Sequence, residues 1–271
     1  MKIPELNSIK SIERQYETGE RPVLVTCSDK NAYICKYMRS SASAYKLASE
    51  FIGANMISYW NIRSPKFAFV KIEPAHWANI NTSHTSAVAL GYIMLEKVAD
   101  INNVTIQNVK KNARILEQLL KIALFDFWIA NEDRTYNNAN LLYDLDKEEL
   151  VSIDYGGIFN TSTYDYSLTQ LTSTDTILYA DIMRHLADGL DRSKILERAA
   201  SLKDFLLEST DKCRENRNQI IDSIPIVWIR VSQKEIKITK KRSTFEVAKQ
   251  VDRFVLGSVV HPIVWFCVSV E

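Results

Sequence analysis

The sequence predicts an α+β protein in two unequal parts, a smaller β-rich part ending near residue 97 and a larger helix-rich part after it. Three observations carry that reading. Short β-prone runs bounded by turn residues crowd the region before residue 97. A sustained apolar stripe at helical spacing then runs from near Asn102 to Trp128, and strongly helical patterns dominate from Asp175 to Ile224.

In chain order, "RPVLVTCSDKNAYICKYM" holds two β-prone runs, Val23 to Cys27 and Ala32 to Met38, around the turn-forming "SDKN", and reads as a hairpin. "SSASAYKLASEFIGANM" opens on serine and repeats Leu47, Phe51 and Ala54 at helical spacing. "KFAFVKI" and "SAVALGYIML" read as strands, with "EPAHWANINTSHT" as the loop between them. The stripe in "TIQNVKKNARILEQLLKIALFDFWIA" takes in positions 106, 109, 113, 116, 120, 123 and 127 and becomes wholly apolar towards Trp128, as a buried helix does. "NLLYD" and "LVSID" around "LDKEE" form a second expected hairpin. "DTILYADIMRHLADGL" and the stretch from Ser193 to Ile224 read as helices. The tail mixes β-prone pieces with one helical piece, "STFEVAKQVDRFVLGS". The expected organisation is therefore 1–97, 98–224 and a C-terminal segment, 225–271, to which the sequence attaches no role.

Several function classes lose support at once. With 34 basic and 33 acidic residues the chain has no net field to draw polyanions or membranes, so nucleic acid is not an expected partner. Four cysteines at 27, 35, 213 and 267 lack C-x-x-C spacing, and the N-terminus lacks an apolar signal core, so the expectation is a soluble cytoplasmic protein with free thiols and no membrane association. His76, His84, His185 and His261 show no i, i+4 pair, and neither a G-x-S-x-G elbow nor a Walker phosphate loop is present. The basic run between Gln233 and Thr244 reads as a solvated strand.

Two polar motifs stand against this ordinary background, "NEDRTYNNANLL" from Asn131 to Leu142 and "SIDYGG" from Ser152 to Gly157. Asp133 is followed by Asn138 and Asn140 and, after one hairpin, by Asp154 at the end of an apolar strand. Carboxylate and carboxamide oxygens suit Mg²⁺, and an acid in the adjoining loop can position a nucleophile, so the set fits phosphoryl transfer. Loop Asn and Asp also form turns and caps, and only the combination points to chemistry. A second pair lies upstream. Lys36 shares a strand face with Ile34 and Met38, and Glu50 shares a helix face with Leu47, Phe51 and Ala54. A lysine and a glutamate each aimed inward would form an ion pair able to orient the ammonium onto phosphates.

The order of these parts resembles a bilobal protein-kinase-like fold, with a β-rich N-lobe and a mainly helical C-lobe. "ICKY", "FDFWIANEDRTYNNANLL" and "LVSIDYGGIF" are similar to the HipA-like kinase family over roughly residues 20 to 215. That resemblance implies ATP and Mg²⁺ as cofactors and a Ser/Thr hydroxyl of a protein as acceptor, with room for a regulatory protein partner. It implies Asp133 as the catalytic aspartate, Asn138 or Asn140 with Asp154 on the metal, and Lys36 with Glu50 on the phosphates. Asn138 is favoured over Asn140. "MLEKVAD", with Glu96, Lys97 and Val98, would offer backbone groups to adenine. Arg134 fixes the loop or compensates charge. The first hairpin carries "CSDKNAY" in place of a glycine-rich loop, so the turn at Ser28 and Asp29 is the expected phosphate cradle. The hydroxyls of Thr161, Ser162, Thr163, Ser167, Thr169, Thr172 and Ser173 form either a polar loop or an activation segment. Two rival readings remain: a pseudokinase serving as an interaction module, which the missing glycine-rich loop favours, and a kinase acting on a small or lipid alcohol.

Overall fold

The computed structural model describes residues 2–80, 88–159 and 176–228. The hydroxyl-bearing segment at 161–173, the basic run at 233–244, His84, His261, Cys267 and the tail beyond 228 lie outside the described residues. A six-stranded sheet takes the order β1-β5-β6-β4-β3-β2, from β1 (Glu5–Asn7), β2 (Arg14–Gln15), β3 (Val23–Thr26), β4 (Ala32–Lys36), β5 (Phe67–Lys71) and β6 (Val88–Ile93). Only β1 pairs in parallel, on β5; every other pairing in this sheet is antiparallel. A second, three-stranded antiparallel sheet has the order β7-β8-β9, from β7 (Val98–Asp100), β8 (Leu141–Asp144) and β9 (Glu149–Ser152). The chain changes sheet between Ile93 and Val98. The helices are α1 (Ser41–Tyr59), α2 (Ala113–Ile129), α3 (Asp181–Ala187), α4 (Arg192–Ser201) and α5 (Lys203–Asp222). None among the described residues is long and apolar enough to cross a membrane.

Strand alternation decides what the six-stranded sheet touches. Val23 and Val25 on β3 and Tyr33 and Cys35 on β4 point to one face and close a small core with Ile12 and Trp77. Ile34 and Lys36 take the opposite face, where Lys36 meets α1. Helix α1 is apolar nearly all round because it is enclosed nearly all round. Phe51 stacks on Phe69 with ring centroids 5.3 Å apart, and the Cys213 thiol of α5 lies 3.6 Å from the Met56 carbonyl on another side. Trp228, just beyond α5, returns to the sheet: its ring packs edge-on to Phe69, and its indole N–H donates to the Val88 carbonyl at 3.2 Å.

Three expectations need correction. The long helical stripe does not begin near Ile106 but at Ala113, because Asn112 caps it by accepting from the Ile115 N–H. Ile106 and Val109 are still buried, in and beside a 3₁₀ turn, which is why the stripe continued through them. The first hairpin ends at Lys36 rather than Met38. The return strand of the second hairpin ends at Ser152, so Asp154 lies beyond it rather than at its end; the lead before Val23 adds two edge strands of three and two residues, too short to show a period.

Gly53, inside α1, would place a Cβ 2.4 Å from the Cβ of Tyr155, in the segment after β9. Helix propensity alone favours alanine there by about 1 kcal/mol. The close approach reverses the sign: Gly53→Ala lowers stability by about 1–3 kcal/mol, read from urea unfolding. A midpoint equal to or above wild type would show that α1 does not press on that segment.

Candidate active site

Lys36 ends β4 with its ammonium 2.9 Å from Glu50 Oε2 and 2.7 Å from Asp154 Oδ1. The Glu50 side chain is only 1% exposed, and every part of its carboxylate is used. Its Oε1 accepts from the Tyr92 hydroxyl of β6 at 2.7 Å, and its Oε2 also accepts from the Tyr155 backbone N–H at 2.9 Å. A strand, a helix and the segment after β9 thus meet at one buried ion pair. Burial pulls the Lys36 pKa down, but Glu50, Asp154 and Glu20 more than offset it and hold the lysine well above its ordinary value. Burial pushes Glu50 up to about 7, with Lys36 pulling it back and Asp154 adding to the rise. Burial also acts to raise Asp154, yet its contacts with Lys36 dominate and keep it below the usual carboxylate range, ionised at neutral pH.

A second buried pair builds the neighbouring loop. Asp126, near the end of α2, lies 2.9 Å from Arg134 Nε, and both side chains are essentially inaccessible. Arg134 donates to the carbonyls of Asn140 at 3.0 Å and Ile153 at 3.1 Å, so one guanidinium ties the end of α2 to both strands of the second hairpin. Asn131 donates to Asp126 Oδ1 and accepts from the Asp133 N–H. The open alternatives for Arg134 resolve to fixing the loop, since no part of it reaches solvent.

Asp133 stands at the tip of this scaffold. Its carboxylate accepts from Asn138 Nδ2 at 3.4 Å and Asn140 Nδ2 at 3.2 Å, which leaves both carboxamide oxygens to other partners. A Cβ on Gly157 would lie 2.4 Å from the Cβ of Asp133, so only glycine lets the loop and the Asp154 segment approach this closely. Ala130, Asn140, Asp154 and Phe159 all take left-handed backbone conformations, with φ between 45° and 62°. Such conformations cost energy for non-glycine residues, and they cluster here, at both ends of the two polar motifs.

These groups face one cleft of about 340 Å³. Its upper wall is Thr18, Gly19, Glu20, Pro22, Lys36 and Lys46; its lower wall is Glu132, Asp133, Asp154, Gly156 and Gly157. The structure brings together Lys36, Glu50, Asp133, Asn138, Asn140 and Asp154. It does not bring Ser28 and Asp29 there. Strand register explains why: Thr26 pairs with Ala32 beside that turn, whereas Val23 pairs with Cys35 beside Lys36. The turn is therefore at the far end of the hairpin, about 13 Å away, where Ser28 donates to the Asn7 carbonyl and Asp29 accepts from Asn31 and Tyr33. The loop that reaches Lys36 is the preceding one, between β2 and β3. Glu96, Lys97 and Val98 also lie off this cleft: the Lys97 carbonyl accepts from Leu145, its ammonium pairs with Asp146, and Val98 joins the ladder with Asp144. Sequence reasoning missed Glu20, Lys46 and Asp126. "TGERP" is a turn signal that could have located the first of them.

A sheet and helix that share the Lys36–Glu50 pair, a second part that carries Asp133 and Asp154, and a cleft between them define a kinase of the protein-kinase-like fold. A family model described as HipA-like kinase matches residues 9–256, and the chain belongs to that family. Among solved structures it is similar to a Helicobacter pylori proinflammatory kinase, CtkA, with a TM-score of 0.54 over 97% of each chain and 10% identity, a likeness of fold. No curated protein matches.

Removing one partner of the Asp126–Arg134 pair strands a buried charge. Asp126→Ala lowers unfolding stability by about 3–5 kcal/mol, measured by chemical denaturation. A loss below 1 kcal/mol would place Arg134 in contact with solvent.

Proposed function

We propose that this protein is an ATP- and Mg²⁺-dependent kinase that transfers the γ-phosphoryl group to a Ser/Thr hydroxyl of a protein. The observation that carries the reading is one cleft lined by Lys36, Asp154 and Asp133, with Glu50 behind Lys36 and the amides of Asn138 and Asn140 on Asp133. The donor chemistry fits the cofactors. Among the described residues no group of three or more His, Cys, Asp or Glu side chains forms a metal cage. Mg²⁺ does not need one, being held usually by one or two carboxylates together with substrate phosphates. Asp154 is ionised at the cleft wall, and Asn138 and Asn140, bonded to Asp133 through their amide nitrogens, keep carboxamide oxygens that are hard donors. The Asn138 or Asn140 choice stays open: Asn138 also donates to the Asp133 carbonyl at 3.1 Å, but both amides bond Asp133 through nitrogen and keep their oxygens for other partners.

Bound Mg·ATP would supply the transferable phosphoryl group and the charge neutralisation that its departure needs. Lys36 would hold phosphate oxygens, with Glu50 fixing its direction. Asp154 and one asparagine would hold the cation. Asp133, oriented by the two amides, would accept the proton of the incoming hydroxyl as its oxygen bonds to phosphorus. The base would lie along the linker from Met94, beyond the described cleft lining, where the Lys97 carbonyl and Val98 are already engaged.

Incubation with ATP and Mg²⁺ and a panel of protein substrates, read by mass spectrometry, tests the reaction and the acceptor together. Asp154→Asn lowers transfer by about 10³-fold or more. Asp133→Asn lowers it by about 10²–10⁴-fold while leaving nucleotide affinity within about threefold. Transfer at the wild-type rate in both variants would remove the assignment. A nucleotide-dependent thermal shift without transfer to any hydroxyl would instead mark a pseudokinase, and phosphate found only on small or lipid alcohols would change the acceptor class.

A further inference from the structure

The loop between β2 and β3 places a carboxylate, Glu20, where a nucleotide-binding cleft needs cations. Glu20 Oε2 lies 3.5 Å from the Lys36 ammonium, and Glu20 Oε1 lies 3.7 Å from that of Lys46. An ammonium has three donors, and Lys36 faces three carboxylates, Glu50, Asp154 and Glu20. A phosphate oxygen can reach Lys36 only by replacing one of them. Glu50 is buried and held by Tyr92 and the Tyr155 N–H, so it stays. Asp154 has the shortest contact with Lys36 and is further held by the Gly156 N–H at 3.4 Å. Glu20 makes the longest of the three contacts, at 3.5 Å, and sits on a short loop.

Lys46 completes the picture. It lies on α1 four residues before Glu50, one helical turn away on the same side, and lines the cleft. Its charge partner in the cleft is the same Glu20. The lining otherwise holds Glu132, Asp133 and Asp154, so with Glu20 in place four acids face two lysines, an unfavourable field for an anion.

We infer that Glu20 is an internal anion filling the phosphate position of the nucleotide-free cleft, and that Lys46 is a second phosphate-binding residue, uncovered when phosphate displaces Glu20. The inference rests on the nucleotide reading of the cleft. Nucleotide phosphates exchange for the Glu20 carboxylate on both lysines, and the β2–β3 loop moves aside with it. The loop is open at Gly19, where an added Cβ would meet nothing within 4 Å.

Isothermal titration calorimetry with ADP and with the non-hydrolysable β,γ-imido analogue of ATP, both with Mg²⁺, tests this on the full chain. Glu20→Gln and Glu20→Ala each tighten binding of both nucleotides by about five- to tenfold, while adenosine affinity stays unchanged. Lys46→Gln weakens the triphosphate analogue several-fold, and more so in the Glu20→Gln background, where no internal anion competes. Unchanged or weaker nucleotide binding in both Glu20 variants, with wild type binding normally, overturns the inference and leaves the nucleotide site standing. Absence of nucleotide binding by wild type overturns the site reading, and the inference with it.

Discussion

The buried carboxylate of Glu50 is the constraint on which the rest of the site depends. A carboxyl group that is 1% exposed must be fully partnered, because an unpaired polar or charged group in a protein interior costs several kcal/mol. Glu50 collects its partners from three places in the chain: Lys36 on β4, Tyr92 on β6 and the backbone of Tyr155. None of these can move without exposing the others to an unpaired charge. The consequence is a fixed distance between sheet, α1 and the Asp154 segment, and therefore a fixed cleft.

Asp126 and Arg134 repeat the device one layer down. Their ion pair is no obvious gain in stability over an apolar pair of similar volume, and its use here is geometric. Arg134 offers several donors in a rigid plane, and they fall on the carbonyls of Asn140 and of Ile153, the residue before Asp154. Left-handed backbone at Asn140 and Asp154 is thus held from behind by a single side chain. Asp and Asn tolerate that conformation better than most residues, which is one physical reason for those residue types to stand there, apart from any cation.

The sequence shows the paired elements of the site more clearly than its edges. Lys36 and Glu50 were legible because a charge on an apolar strand face and another on an apolar helix face both demand a partner. The two polar motifs were legible because they interrupt apolar runs at a hairpin's separation. The loop between β2 and β3 was not, because β2 has two residues and β1 three, too few for alternation to register. Without β2 the first visible turn is that of Ser28 and Asp29, one hairpin too late. Asp126 was hidden for a different reason: within a helix a single acid among apolar residues looks like a solvated rim, and only Arg134, eight positions on, shows it to be enclosed.

Helix α1 is held from too many sides to act as a movable part. The sheet packs on it through Phe51 and Phe69, α5 through Cys213, and the Tyr155 segment presses on Gly53. Trp228 adds its ring to the same aromatic group, 6.3 Å from Phe51. Swinging α1 out to break Lys36 from Glu50 would open apolar surface on all these sides at about 25 cal/mol per Å² and would strand Glu50 besides. The Lys–Glu pair is therefore formed before any ligand arrives. What can move cheaply is the short loop between β2 and β3, which follows the two-residue edge strand β2 and is held by exposed contacts such as Arg39 to the Gly19 carbonyl and Lys46 to Glu20. Control over access to Lys36 falls to that loop and not to the helix.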